Sequence, residues 1–214
     1  MRSVAWMTRA ILVSGALAGT QTTSMLAQGV SFAPNIGVYI PTTELVKAAS
    51  GEEFKQEMSI TLGGRLGVAL TQRFGLEFTG AYAPSDLKIS ASGLGDQSAD
   101  ANVFTGSGRV SYQLVPYTSL VAFVITGGVG VINRSGDFYA DVAHKTDIGG
   151  TVGASARFRV GSLLRLQLSA EDYIYKSKAE IPGFAPSAEK KAQNDIHISL
   201  GVGIPLLGLG QMGK

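Results

Sequence analysis

The chain has 214 residues, 45% hydrophobic and 16% charged, with 28 glycines, no cysteine and a formal net charge of +2. That length fits one domain of ordinary size. The missing cysteines exclude a disulfide framework or thiolate metal site, and the charge content lies well below the ~25% typical of soluble domains. Two of the basic residues, Arg2 and Arg9, lie at the N-terminus, so the remainder is near neutral and carries no basic stripe for nucleic acid.

Arg2 and Arg9 lead into an apolar run over 10–18, then a polar patch and Ser24-Met25-Leu26-Ala27-Gln28. This is the order of a secretory signal peptide, with cleavage expected after Ala27. Residues 1–27 are thus expected to be the signal and 28–214 the exported domain. The apolar run is too short for a transmembrane helix of ~20 residues. No later segment has a long apolar run.

The rest alternates at period two, which predicts strands. Eight segments are expected: 30–41, 58–70, 74–83, 102–115, 119–133, 148–160, 164–176 and 195–206. Each is near the ~9–11 residues that a tilted strand needs to cross a bilayer. Tight turns are expected at 71–73, 116–118 and 161–163, and long polar connections at 42–57, 84–101, 134–147 and 177–194. Short and long connections alternate strictly. That layout predicts a closed antiparallel eight-stranded transmembrane β-barrel, with short periplasmic turns and long external loops.

The faces separate this from a soluble barrel with the same strand number. In the second segment Met58, Ile60, Leu62, Leu66, Val68 and Leu70 oppose Ser59, Thr61, Arg65 and Ala69. In the last, Ile196, Ile198, Leu200, Val202 and Ile204 oppose His197, Ser199, Gly201 and Gly203. The polar face is built of small residues with single charges deep in the strands, and lysine is nearly confined to the loops. A soluble exterior would carry far more Lys and Glu, so the polar face is predicted to line a narrow lumen. The fifth segment fits poorly, because Leu120, Ala122 and Val124 alternate with Val121, Phe123 and Ile125. Aromatics support two interfacial girdles. Phe32, Phe74, Tyr112, Tyr117 and Phe158 lie near periplasmic ends, and Tyr39, Tyr82, Phe104, Tyr173 and Tyr175 near external ends. Of the latter, Tyr39 and one of the pair Tyr173/Tyr175 are expected to point inward.

With this layout, and with segments such as Gly37-Val38-Tyr39-Ile40-Pro41 and Ala170-Glu171-Asp172-Tyr173-Ile174-Tyr175, the chain resembles the small outer-membrane β-barrels. It looks most like the transmembrane domain of outer-membrane protein A and the outer-membrane protein X and W groups. The resemblance covers everything after the signal and implies an outer-membrane location, contact with outer-membrane lipids and insertion by the barrel-assembly machinery. Two departures stand out: no peptidoglycan-binding domain follows the last strand, and the chain ends Gly210-Gln211-Met212-Gly213-Lys214 without the family's terminal aromatic.

Chemistry is sparse. His144 falls in a polar loop. His197 lies on the lumen face with Ser199, but a lipid A deacylase of this size class acts on the lipid-facing surface. No zinc spacing occurs, the Gly93–Asp100 stretch lacks the acidic density of a calcium loop, and Gly149-Gly150-Thr151-Val152-Gly153 has no following helix or lysine to bind phosphate. No cofactor or metal is therefore expected.

The inward charges carry the site expectation: Arg65, Glu77, Arg109, Arg157, Arg159, Arg165 and Glu171. One reading is a salt-bridge network that fills the barrel, since confined charges need partners. The other is a narrow anion-preferring path lined by the arginine excess. An eight-stranded barrel is only just wide enough for its own side chains, which favours the plug. The expected function is that of a non-enzymatic, monomeric surface barrel with a structural role or a role in binding ligands through its long loops. A narrow channel for small solutes or apolar molecules is the alternative; a lipid A-modifying enzyme and a soluble lipocalin-like binder rank below it.

Overall fold

The computed structural model describes residues 29–42, 46–47, 53–91, 95–115, 119–140, 145–161, 164–177 and 192–207. The expected signal segment, His144 and Tyr117 lie outside them. In chain order the strands are β1 (Gly29–Pro41), β2 (Val46–Lys47), β3 (Glu53–Gln56), β4 (Ser59–Ala69), β5 (Phe74–Ala83), β6 (Asp86–Ala91), β7 (Gly95–Asp100), β8 (Asn102–Gln113), β9 (Val121–Ser135), β10 (Thr146–Val160), β11 (Leu164–Lys176) and β12 (Ala192–Leu207). The long strands close into an antiparallel barrel in the order β1-β12-β11-β10-β9-β8-β5-β4, with β4 returning to β1. These are the eight expected segments. β5 and β11 match their expected bounds, and the largest departure is at β12, which starts at Ala192.

Pairing fixes the geometry of closure. A walk round the wall passes from Phe104 through Tyr82, Leu62, Ile36, Leu200, Leu168, Ala156 and Phe123 to Leu114. It returns to the same stretch of chain about ten residues from its start, a stagger that tilts the strands by roughly 35–45°. Every residue on that path is apolar or aromatic and belongs to the outer face.

The faces are inverted relative to a soluble core. Thr61 is 1% exposed while its neighbour Leu62 is 63% exposed; Asp147 is 2% and Ile148 76% exposed. Phe32, Phe74 and Phe158 are exposed towards one rim, Tyr82 and Phe104 towards the other. Sheet closure satisfies the backbone, and lipid becomes the solvent for the apolar face. β9 keeps the alternation despite its sequence. Ala122 and Val124 are buried inside, and Phe123 and Ile125 face out. Small apolar groups fit the narrow lumen wall as well as small polar ones do.

Two expectations are corrected. Tyr173 and Tyr175 both point inward and are buried, because residues two apart on a strand share a face. The connections 42–57 and 84–101 are more than loops: they carry a second sheet ordered β2-β3-β6-β7, with Phe54 opposite Ile89. Its strands are too short and too rich in polar residues to register as a periodic pattern.

The turn between β4 and β5 is built from local chemistry. Thr71 Oγ1 accepts hydrogen bonds from the backbone N–H groups of Arg73 (3.2 Å) and Phe74 (2.9 Å). Gly161, directly after β10, takes φ 70°, a left-handed value that favours glycine.

Candidate functional site in the barrel lumen

The centre of the lumen is an ion-pair cluster drawn from five strands. Glu77 on β5 and Glu171 on β11 meet Arg65 on β4, Arg109 on β8 and Arg157 on β10. Arg65 pairs with Glu171 across the lumen, donates to Ser169 Oγ (2.7 Å) and places its Nε 3.6 Å from Glu77 Oε2. Arg109 Nη2 lies 2.9 Å from Glu171 Oε1 and 3.8 Å from Glu77 Oε2. Arg157 pairs with Glu77 and donates from Nε to Gln167 Oε1 (3.2 Å). Each carboxylate is thus shared among guanidinium groups. That sharing is what makes burial of these charges tolerable.

The remaining two expected residues stand apart from this cluster. Arg159 is exposed and Arg165 half-buried at the periplasmic end. With Arg157, Gln113, Ser119 and Ala122 they line a cavity of ≈ 10 Å³, room for about one water.

Outward of the centre the lumen is aromatic. His197 sits between Tyr39 (ring centroids 5.1 Å, 63°) and Tyr173 (5.3 Å, 54°). Its Nε2 is buried and makes no hydrogen bond. Thr79 Oγ1 bonds Ser107 Oγ (2.6 Å) and approaches the Tyr173 hydroxyl (3.4 Å).

A second polar cluster closes the external end. Asp195 Oδ2 accepts from the hydroxyls of Tyr39 (2.8 Å) and Tyr175 (2.7 Å). Arg134 donates to Asp147 Oδ2 (2.7 Å) and to the Tyr175 hydroxyl (2.6 Å), with its guanidinium 5.3 Å from the Tyr175 ring centroid. Tyr139, from the 3-10 turn Asp137–Tyr139, is buried here, and burial pushes its phenol up to about 12. Sequence reasoning missed this cluster. It ended the strand before Arg134 and began the next after Asp147; continuing the alternation past those ends would have turned both residues inward.

Among the described residues no group of His, Asp and Glu is arranged to hold a metal. The lumen chemistry is that of mutual charge neutralisation and hydrogen bonding, stacked from one mouth to the other.

No protein-family model matches the sequence, and no curated protein matches it. Solved structures are similar. The outer membrane protein OprG from Pseudomonas aeruginosa superposes with a TM-score of 0.66 at 14% identity, over 83% of this chain and 96% of that one. Neisserial surface protein A gives 0.55 at 11% identity, over 83% and 96%. The outer membrane protein AlkL, solved in DMPC lipid bilayers, gives 0.54 at 15% identity, over 84% and 90%. At these identities the likeness is one of fold. Together with an apolar exterior around a polar interior, that fold makes this chain a small closed eight-stranded β-barrel whose outer face suits lipid.

Proposed function

We propose that the protein is a non-conducting, non-enzymatic barrel that holds its external sheet and loops rigidly at the cell surface, in a structural or ligand-binding role. The observation that carries this reading is the shared ion-pair cluster of Arg65, Arg109 and Arg157 with Glu77 and Glu171, which spans the lumen from five strands. The Tyr39–Asp195–Tyr175–Arg134–Asp147 cluster adds a second barrier at the external mouth. A solute would have to break both at once. His197 is enclosed between two rings inside the wall, so it is badly placed to act as a base on an external substrate. In this reading the protein works as a monomer, is inserted by the barrel-assembly machinery, and takes no cofactor. Loops on a rigid scaffold are where binding concentrates, and the second sheet stiffens two of them.

Planar-bilayer recording tests it. The wild-type protein is expected to show no steady openings. Steady unitary conductance, altered by Arg109→Ala or Arg65→Ala, would assign the lumen to a channel instead. Mass spectra of lipid A from cells with and without the protein are expected to match.

A further inference from the structure

The turn between β4 and β5 holds an arginine on the outer side of the wall. Thr71 Oγ1 accepts from the Arg73 N–H (3.2 Å), and the Arg73 carbonyl accepts from the Gln113 N–H on β8 (2.8 Å), so its backbone is fixed from both sides. The side chain runs along the apolar face. Its Nη1 donates to the hydroxyl of Tyr112 (3.1 Å), whose ring packs on Phe74 with centroids 5.0 Å apart. Phe74 and Tyr112 are direct partners across β5 and β8, and Phe74 is 50% exposed. The guanidinium thus stands beside the aromatic residues of the periplasmic rim, where a bilayer has its head groups. It is exposed, and among the described residues no carboxylate pairs with it. Glu77, the next acid along the chain, points inward and serves the central arginines.

We propose that Arg73, placed by Tyr112, binds the phosphate of an anionic phospholipid in the periplasmic leaflet. Tyr112 occupies one of the five guanidinium N–H donors, and a planar fork matches phosphate oxygens in pairs. The net negative charge of the lipid supplies the counter-charge that no carboxylate provides. The wall above the site suits an acyl chain. Val110, two residues from Tyr112 on the same face, is 53% exposed. Its direct partner Gly127 has nothing within 4 Å of a notional Cβ. Other outward glycines are covered by rings: Gly108 by Phe78 at 3.6 Å and Gly64 by Phe32 at 3.0 Å. The open notch therefore lies on the track that leads inward from Tyr112, and it favours a lipid over a free anion as the occupant. The site needs only that the outer wall face lipid, and it holds whether or not the lumen conducts.

Native mass spectrometry of protein released from nanodiscs of phosphatidylcholine with a minor share of phosphatidylglycerol tests the site. The wild-type barrel is expected to retain phosphatidylglycerol in preference to phosphatidylcholine. Arg73→Gln is expected to lower that retention about fivefold, the effect of one basic side chain at a lipid surface. Arg73→Lys is expected to fall between the two, since it keeps the charge and loses the fork. Tyr112→Phe removes only the hydroxyl that places the guanidinium, and is expected to cost less than Arg73→Gln. Arg159→Gln, on the lumen side of the same rim, is the control and is expected to retain phosphatidylglycerol as the wild type does. Every variant should enter the discs and keep different mobilities in boiled and unboiled gels, which shows that the barrel is intact. A wild-type protein that fails to enter the discs overturns the lipid-facing wall itself. Entry with equal retention of the two lipids, or an equal loss in Arg73→Gln and Arg159→Gln, overturns the site alone.

Discussion

At the residue scale the centre of the lumen is an electrostatic arrangement in which both carboxylates, Glu77 and Glu171, are shared among guanidinium groups. Glu171 compensates Arg65 and Arg109 together, with side chains 8%, 7% and 1% exposed. Removing it leaves two buried guanidinium groups with Glu77 alone, and Glu77 already meets Arg157. Breaking a buried pair from one side costs about 3–5 kcal/mol. Glu171→Ala is therefore expected to lower the unfolding free energy by that amount, measured by guanidinium unfolding in phosphatidylcholine vesicles. A loss below about 1 kcal/mol, the range of exposed pairs, would mean that the cluster is solvated and does not brace the barrel. The inward set was legible because period two assigns a face to every charge. Height along the barrel axis was not legible. Face depends on parity alone, but height depends on register and tilt, which pairing determines. That is why Arg159 and Arg165 could be placed inside yet not separated from the central five.

At the element scale, strands are fitted to one another by glycines facing large rings. A Cβ added at Gly130 on β9 would lie 2.7 Å from Cδ1 of Tyr173 on β11. The missing side chain makes room for the ring, which in turn packs against His197. Gly130→Val is expected to destabilise the barrel by about 1–3 kcal/mol, the usual cost of overpacking. Gly127, on the lipid face of the same strand, has nothing within 4 Å of its notional Cβ. Gly127→Ala is the control, with an expected change within about ±0.5 kcal/mol. Equal effects at the two positions in the same unfolding assay would show that backbone propensity, and not the Tyr173 contact, sets the cost. Strand existence was readable wherever alternation ran long enough. β6 shows the limit: Leu87, Ile89 and Ala91 alternate with Lys88 and Ser90, but the run is short and flanked by acidic and small residues. Its pairing with β3 and β7 is a long-range event that no local window carries.

At the scale of the whole molecule the barrel and the external sheet are two hydrogen-bonded systems joined end to end. The barrel is closed by its own eight strands, and the sheet of β2, β3, β6 and β7 has its own ladder. Among the described residues, bonds between the connecting segments mark the junction, such as Ala101 N–H to Ser85 O (2.7 Å) and Glu57 N–H to Asp86 O (3.0 Å). In a bilayer the barrel cannot open locally, because each freed backbone group would meet hydrocarbon. The external sheet faces water and has no such constraint. Replacing 46–56 and 87–99 by short Gly/Ser turns should therefore leave a folded barrel. The shortened protein is expected to remain in the outer-membrane fraction and to keep different mobilities before and after boiling. The surface binding proposed above should be lost with the sheet. A shortened protein found in the aqueous fraction, or one with identical mobility in both samples, would make the external sheet part of the folding unit. The barrel would then depend on a layer whose period-two signal is too short to read, and the legible part of the chain would be insufficient to specify the fold.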